Sequence, residues 1–252
     1  MINRVLVTAG ASGIGFAIAD AFDQTGCKVH ICDINKAAIA EACANRRFSA
    51  SVADVSDPGE VRRLAQETLA ALGGIDVIIN NAGIGGPRAP VESISDDDWD
   101  AVMRTNLYSM FFVVRELTPI LKAQCSGVII NISTTSVRTA LPNRCAYVVS
   151  KAAVEGLTHN LARELGPYNI RCNTLRPGSI ENERGRQLLE QRAAREGISY
   201  EEALQERLGY ISMRSRITPS EIGEAAVFLA SDAARHITGQ CISVCGNVEW
   251  EN

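Results

Sequence analysis

The stretch Val5-Leu6-Val7-Thr8-Ala9-Gly10-Ala11-Ser12-Gly13-Ile14-Gly15 decides how the rest of the chain is read. Three aliphatic residues run into a glycine-rich turn, and an apolar pattern of helical period opens directly after it. That order spells a strand, a tight turn and a helix N-terminus. Gly13 and Gly15 carry no Cβ, so the backbone there approaches a ligand closely and the helix packs against the sheet. The first turn of a helix also presents unpartnered N–H groups and the positive end of its dipole. Both suit a pyrophosphate.

Eighteen residues after Gly15, the next apolar run ends on Asp33. An acid at that place accepts hydrogen bonds from the adenine-ribose hydroxyls of a dinucleotide and repels a 2′-phosphate. The following residue is Ile34 rather than a base. NAD is therefore expected in preference to NADP.

Further along, short β-branched runs alternate with helical stretches. Strands are predicted at Val5–Thr8, Val29–Asp33, Ser49–Val52, Ile75–Asn80, Val128–Ser133, Ile170–Leu175 and Cys241–Val244. Helices are predicted at Ile14–Gln24, Lys36–Asn45, Pro58–Leu72, Trp99–Gln124, Ala146–Leu165 and Ser220–Ala230. Such alternation means an α/β fold whose parallel sheet is covered on both faces. The expectation is a single doubly wound, Rossmann-type domain over residues 1–252, with seven parallel strands. Residues 178–216 break the rhythm: they hold no strand-like run and mix acids with arginines at helical spacing. They lie just past the carboxyl end of a strand, where ligands bind in this architecture, and read as a helical lid.

Hydrophobic residues at 46% and charged residues at 21% describe an ordinary globular protein. A net charge of −4 argues against nucleic acid as the main partner. No apolar run is long enough to span a bilayer, and Met1 leads almost directly into the first strand with no signal pattern, so a cytoplasmic location is expected. The eight cysteines are scattered without a C-x-x-C pair and away from the histidines, so neither metal nor disulfide is expected.

Several further motifs stand in order along the chain: Asp54-Val55, Asn80-Asn81-Ala82-Gly83, Arg104-Thr105-Asn106-Leu107, Tyr147-Val148-Val149-Ser150-Lys151, Arg176-Pro177-Gly178, Phe228-Leu229-Ala230-Ser231 and Thr238-Gly239-Gln240. With the glycine loop they make the whole chain resemble the short-chain dehydrogenase/reductase family. The resemblance implies a cofactor site formed by Gly10, Ser12, Gly13, Ile14, Gly15, Asp33, Asp54, Val55, Asn81, Ala82, Gly83, Tyr147, Lys151, Pro177, Gly178 and Ile180. It implies Asn106, Thr134, Tyr147 and Lys151 as the catalytic set, and a homotetramer built on the helices that carry Asn106 and Tyr147. The sequence departs from the family pattern at Ala9, Thr134, Asn182 and Cys245, where the family has glycine, serine, threonine and aspartate.

Tyr147 and Lys151 are four apart and share one helix face. A free phenol holds its proton to about pH 10, and a nearby ammonium favours the phenolate, which makes a general base. By resemblance Lys151 also holds the nicotinamide ribose and Asn106 anchors a water behind it. By resemblance the hydroxyl that orients the substrate stands thirteen residues before the tyrosine, which is Thr134 and not Ser133, and strand alternation sends the two side chains to opposite faces. The expected activity is hydride transfer between NAD and a secondary alcohol or ketone of a small polar substrate. A 3-oxoacyl thioester reductase is the second reading, and a non-catalytic NAD-binding regulator the third. Arg138, Arg144, Arg184 and Arg186 fall near the expected pocket and hint at an anionic or polyhydroxylated substrate.

Overall fold

The computed structural model describes residues 3–44 and 46–248, so the predicted helix end at Asn45 lies outside the described residues. The seven strands are β1 (Arg4–Thr8), β2 (Lys28–Asp33), β3 (Ser49–Val52), β4 (Val77–Asn80), β5 (Gly127–Ile132), β6 (Ile170–Pro177) and β7 (Cys241–Val244). They form one sheet in the order β3-β2-β1-β4-β5-β6-β7, and every pairing is parallel. The chain runs outward from β1 to β3, then returns to β4 on the other side of β1. That reversal opens a crevice at the carboxyl ends of β1 and β4, the place where doubly wound sheets bind ligands. Because the strands are parallel, Thr8, Asp33, Val52, Asn80, Ile132 and Pro177 all emerge at this one edge.

The five inner strands, β2, β1, β4, β5 and β6, are buried on both faces, which is why their sequences are mostly apolar rather than alternating. Val5, Val7, Val29, Ile31, Val77, Ile79, Val128 and Ile130 pack under the helices α1 (Gly13–Gln24) and α10 (Pro219–Ala230). Leu6, Ile78 and Ile129 point the other way, under α3 (Pro58–Leu72) and α5 (Ser109–Ala123). Each such side chain, fully buried, contributes roughly 1.5–3 kcal/mol. Helix α2 (Lys36–Ala44) covers the β2–β3 edge, and Arg171 on β6 closes the end of α10 by donating to the carbonyls of Leu229, Ala230 and Ser231.

The predicted single helix over 99–124 is corrected. It begins earlier, as α4 (Asp96–Met103), because Ser95 caps it by accepting from the Asp98 N–H at 3.1 Å. It is then interrupted by a π-turn, Arg104–Tyr108, before continuing as α5. The widened turn belongs to Asn106, whose side chain is fixed to groups outside its own helix. A short α6 (Ser136–Thr139) precedes the long α7 (Cys145–Leu165).

The segment over residues 178–216 folds as a helical pair, α8 (Glu183–Glu196) and α9 (Tyr200–Gly209). It has its own small core of Leu189, Ala193 and Ala203, with Ile198, Tyr200 and Leu204 against it. Both of its roots are tied down: Ile180 bridges Ile217, and Ile211 bridges Val248. No helix among the described residues is long and apolar enough to cross a membrane.

Candidate active site

The glycine loop joins β1 to α1. Ala9, where the family has glycine, is held left-handed at φ 48°. Its carbonyl accepts from Asn81 Nδ2 at 3.1 Å, and a Cβ on Gly15 would lie 2.0 Å from that oxygen, so the turn closes directly on the helix. A left-handed conformation costs a non-glycine residue roughly 1–2 kcal/mol. Ala9→Gly is therefore expected to stabilise the protein by about 0.5–1 kcal/mol after the larger chain entropy of glycine is counted. Urea melts check this; a lower midpoint in the variant would contradict it.

At Gly13, φ is 55° and a Cβ would meet nothing within 4 Å. Ser12 sits at the N-cap without capping its helix, and the first intrahelical bond is Phe16 N to Ser12 O. The N–H groups of the first turn are thus left to a ligand in open space beside a bare backbone. These residues fit a dinucleotide pyrophosphate. Thr8 Oγ1 accepts from the N–H groups of Asn81 and Ala82, which ties the loop to the end of β4. Sequence reasoning did not single out this threonine, although it opens the loop motif.

Asp33 and Asp54 stand at and just past the ends of β2 and β3. Asp33 Oδ1 accepts from the Asn35 N–H at 3.0 Å, and Asp54 Oδ1 from the Ser56 N–H at 2.9 Å. Each carboxylate steadies its own turn with one oxygen, and Val55 beside Asp54 is buried.

Tyr147 and Lys151 lie on α7. Lys151 is 4% exposed, and its ammonium donates one bond, to the Ile132 carbonyl at 2.7 Å. Burial pushes the ammonium down to about 8 from 10.5. Gly83 makes room for it: a Cβ there would stand 3.2 Å from Lys151 Nζ and 3.1 Å from Asn106 Oδ1. Asn106 is fully buried, accepts from the Ile84 N–H at 2.7 Å, and donates to the Ile84 carbonyl and to Ser150 Oγ. Ser150 in turn donates to the Tyr147 carbonyl at 2.8 Å, a link the sequence reading passed over. The Tyr147 hydroxyl makes no hydrogen bond among the described residues, and the Arg144 guanidinium lies 4.7 Å from the centre of its ring.

Ser133 and Thr134 part company as strand alternation requires. Ser133 Oγ turns to α7, 2.9 Å from Glu155 Oε1, whereas Thr134 Oγ1 bonds Ser136 Oγ at 3.2 Å. At the end of β6, Gly178 lies against Cys245, where a Cβ would come within 2.5 Å of the cysteine Cβ. That close approach requires glycine at 178, whatever side chain stands at 245. Asn182 is spent as the cap of α8, accepting from the Gly185 N–H at 2.8 Å. Among the arginines near the pocket, only Arg144 is seen at Tyr147. Arg138 is exposed, Arg186 pairs with Glu190 at 2.8 Å, and the side chain of Arg184 lies outside the described ones.

Comparison with known proteins agrees with this geometry. Residues 8–247 match a family model described as enoyl-(acyl carrier protein) reductase. The chain is 36% identical to a 3-oxoacyl-[acyl-carrier-protein] reductase of Chlamydia trachomatis serovar D, over 98% of each protein. It is 34% identical to a probable galactose dehydrogenase of Rhizobium meliloti, over 97% of this chain and 94% of that one. The crystal structure of an NAD+-bound xylitol dehydrogenase superposes with a TM-score of 0.91 at 28% identity, covering 97% of this chain and 98% of the other. The chain belongs to the short-chain dehydrogenase/reductase family, nicotinamide-dependent oxidoreductases that act on hydroxyl and keto groups.

Proposed function

We propose that the protein works as one catalytic domain over residues 1–252. In this reading it is an NAD-dependent dehydrogenase of a small polar substrate (a polyol, a sugar or a hydroxy acid) reacting at a secondary alcohol or ketone. The observation that carries this is the buried Lys151 ammonium, one helical turn from Tyr147, with most of its donors unspent beside Gly83. Bound NAD would supply the hydride acceptor. Tyr147 takes the proton of the substrate hydroxyl, and Lys151 favours negative charge on the phenol oxygen while its free N–H groups bind the nicotinamide ribose. Arg144, stacked on the ring, fixes the plane of the phenol. Thr134 orients the substrate oxygen. Asn106 braces the loop of Gly83 and Ile84 against α7 through Ser150.

Asp33 supports NAD over NADP by its charge. Measured kcat/KM should favour NAD by about tenfold or more, and Asp33→Ala should narrow that ratio. A ratio at or below one in the unmodified protein would overturn the assignment. The likeness to a galactose dehydrogenase and a xylitol dehydrogenase supports a polyhydroxylated substrate. The likeness to a 3-oxoacyl reductase supports the second reading, reduction of a 3-oxoacyl thioester.

A homotetramer in the cytoplasm completes the proposal. The assembly is supported by an apolar cleft of about 300 Å³ between α5 and α7, lined by Phe111, Val114, Leu157, Leu161 and Leu165. Phe111 is 47% exposed there, more than a lone protomer gains from leaving in water.

A further inference from the structure

Glu155 is a buried carboxylate that the chemistry above leaves unused. It stands on α7 four residues after Lys151 and eight after Tyr147, so the three share one face of the helix. Its side chain is 9% exposed and that of its ion-pair partner, Arg176 on β6, is 17% exposed. Arg176 grips it with two nitrogens, Nε to Oε1 at 2.7 Å and Nη2 to Oε2 at 2.5 Å. Ser133 Oγ lies 2.9 Å from Oε1 and 3.2 Å from the Lys151 carbonyl oxygen, so its one proton serves either of them.

The sequence neighbours of these residues give the cluster its meaning. Ser133 directly precedes Thr134, and its N–H donates to the Leu175 carbonyl of β6 at 2.8 Å. Arg176 directly precedes Pro177-Gly178. One carboxylate therefore ties the ends of β5 and β6 to the helix that carries Tyr147 and Lys151.

An ion pair this buried is a weak source of net stability, because desolvation offsets much of the attraction and an apolar pair of similar volume does as well. What it adds over an apolar pair is direction, since the planar guanidinium fork accepts a carboxylate in one orientation. Direction matters here. One residue of slip along a helix is about 1.5 Å, and misplacement on that scale costs about 10²-fold in rate. We infer that Glu155 and Arg176 are positioning residues, setting the height of α7 against the ends of β5 and β6. They thereby hold Tyr147 and Lys151 in register with Thr134 and the Pro177–Gly178 edge. This rests on the reading of Tyr147 and Lys151 proposed above.

The test removes the pair without leaving a lone buried charge, in Glu155→Leu/Arg176→Leu, with NADH as the probe. The melting temperature should stay within about 5 °C of the unmodified protein. The Kd for NADH should rise less than about tenfold, because the adenine end is untouched. The emission gain of the bound nicotinamide should fall by about half or more, because Lys151 no longer meets the ribose in register. A melting temperature within that range with undiminished emission gain would overturn the inference and leave a scaffold contact. Should the double variant melt far lower, Arg176→Lys keeps the charge and loses the fork. Reduced emission gain is expected there too, and an undiminished gain would overturn the inference equally. Failure of the underlying function reading looks different: Tyr147→Phe would retain full turnover.

Discussion

Tyr147→Phe is expected to bind NAD with a nearly unchanged Kd and to lose turnover by about 10²–10⁴-fold, the contribution of a positioned acid–base group. The substitution deletes one oxygen that bonds nothing among the described residues, so no structural contact is lost with it. Ser150 reaches the backbone carbonyl of residue 147, not its side chain, and keeps that bond in the variant. The stack with Arg144 needs only the ring. Folding and cofactor binding should therefore survive, and the loss should fall on kcat. Steady-state kinetics beside a binding titration separates the two, and a near-normal kcat would remove Tyr147 from the mechanism.

Lys151→Met is expected to abolish measurable turnover while raising stability. The ammonium is held down to about 8 from 10.5 by burial alone, which costs the native state about 3 kcal/mol at neutral pH. Methionine fills a similar volume without the charge and loses one hydrogen bond to the Ile132 carbonyl, worth about 1–2 kcal/mol. The net gain of about 1–2 kcal/mol corresponds to about 3–6 °C in Tm for a chain of this size. The pH dependence follows from linkage. Between about 8 and 10.5 the unfolded chain keeps the Lys151 proton that the native state has released, so the stability of the unmodified protein rises with pH across that window. The advantage of the variant should be full below about pH 8, shrink as the pH rises, and be reversed by about pH 10.5, where only the lost hydrogen bond to Ile132 still distinguishes the two proteins. Thermal melts across that range check it; an advantage independent of pH would mean that packing, not the buried charge, is responsible.

The fold was legible wherever the signal is local. The glycine loop declares a strand, a turn and a helix within eleven residues of sequence, and β3, β7 and α3 fall on their predicted bounds. Their ends are set by short-range chemistry, such as Asp57 capping α3 before Pro58. Alternation also told Ser133 from Thr134, because period two needs no tertiary knowledge. What stayed hidden depends on contacts between distant segments. The π-turn at Asn106 looks like ordinary helix in sequence, since the widened turn is held by the backbone of Ile84 and the hydroxyl of Ser150. Glu155 and Arg176 read as unrelated charges until the packing of α7 on β6 brings them together. The start of α4 was hidden because its first turn is Asp96-Asp97-Asp98, which holds no apolar residue to mark the helical period.

The central claim is NAD-linked oxidation of a small polar alcohol through Tyr147. The most direct measurement is the initial rate of NADH formation by the unmodified protein over polyols, sugars and hydroxy acids, set beside the consumption of a 3-oxoacyl thioester with NADPH. The account predicts NAD reduction with at least one of these alcohols, and its loss in Tyr147→Phe. Absence of NAD reduction on all of them, with brisk NADPH-dependent reduction of the thioester, would contradict it.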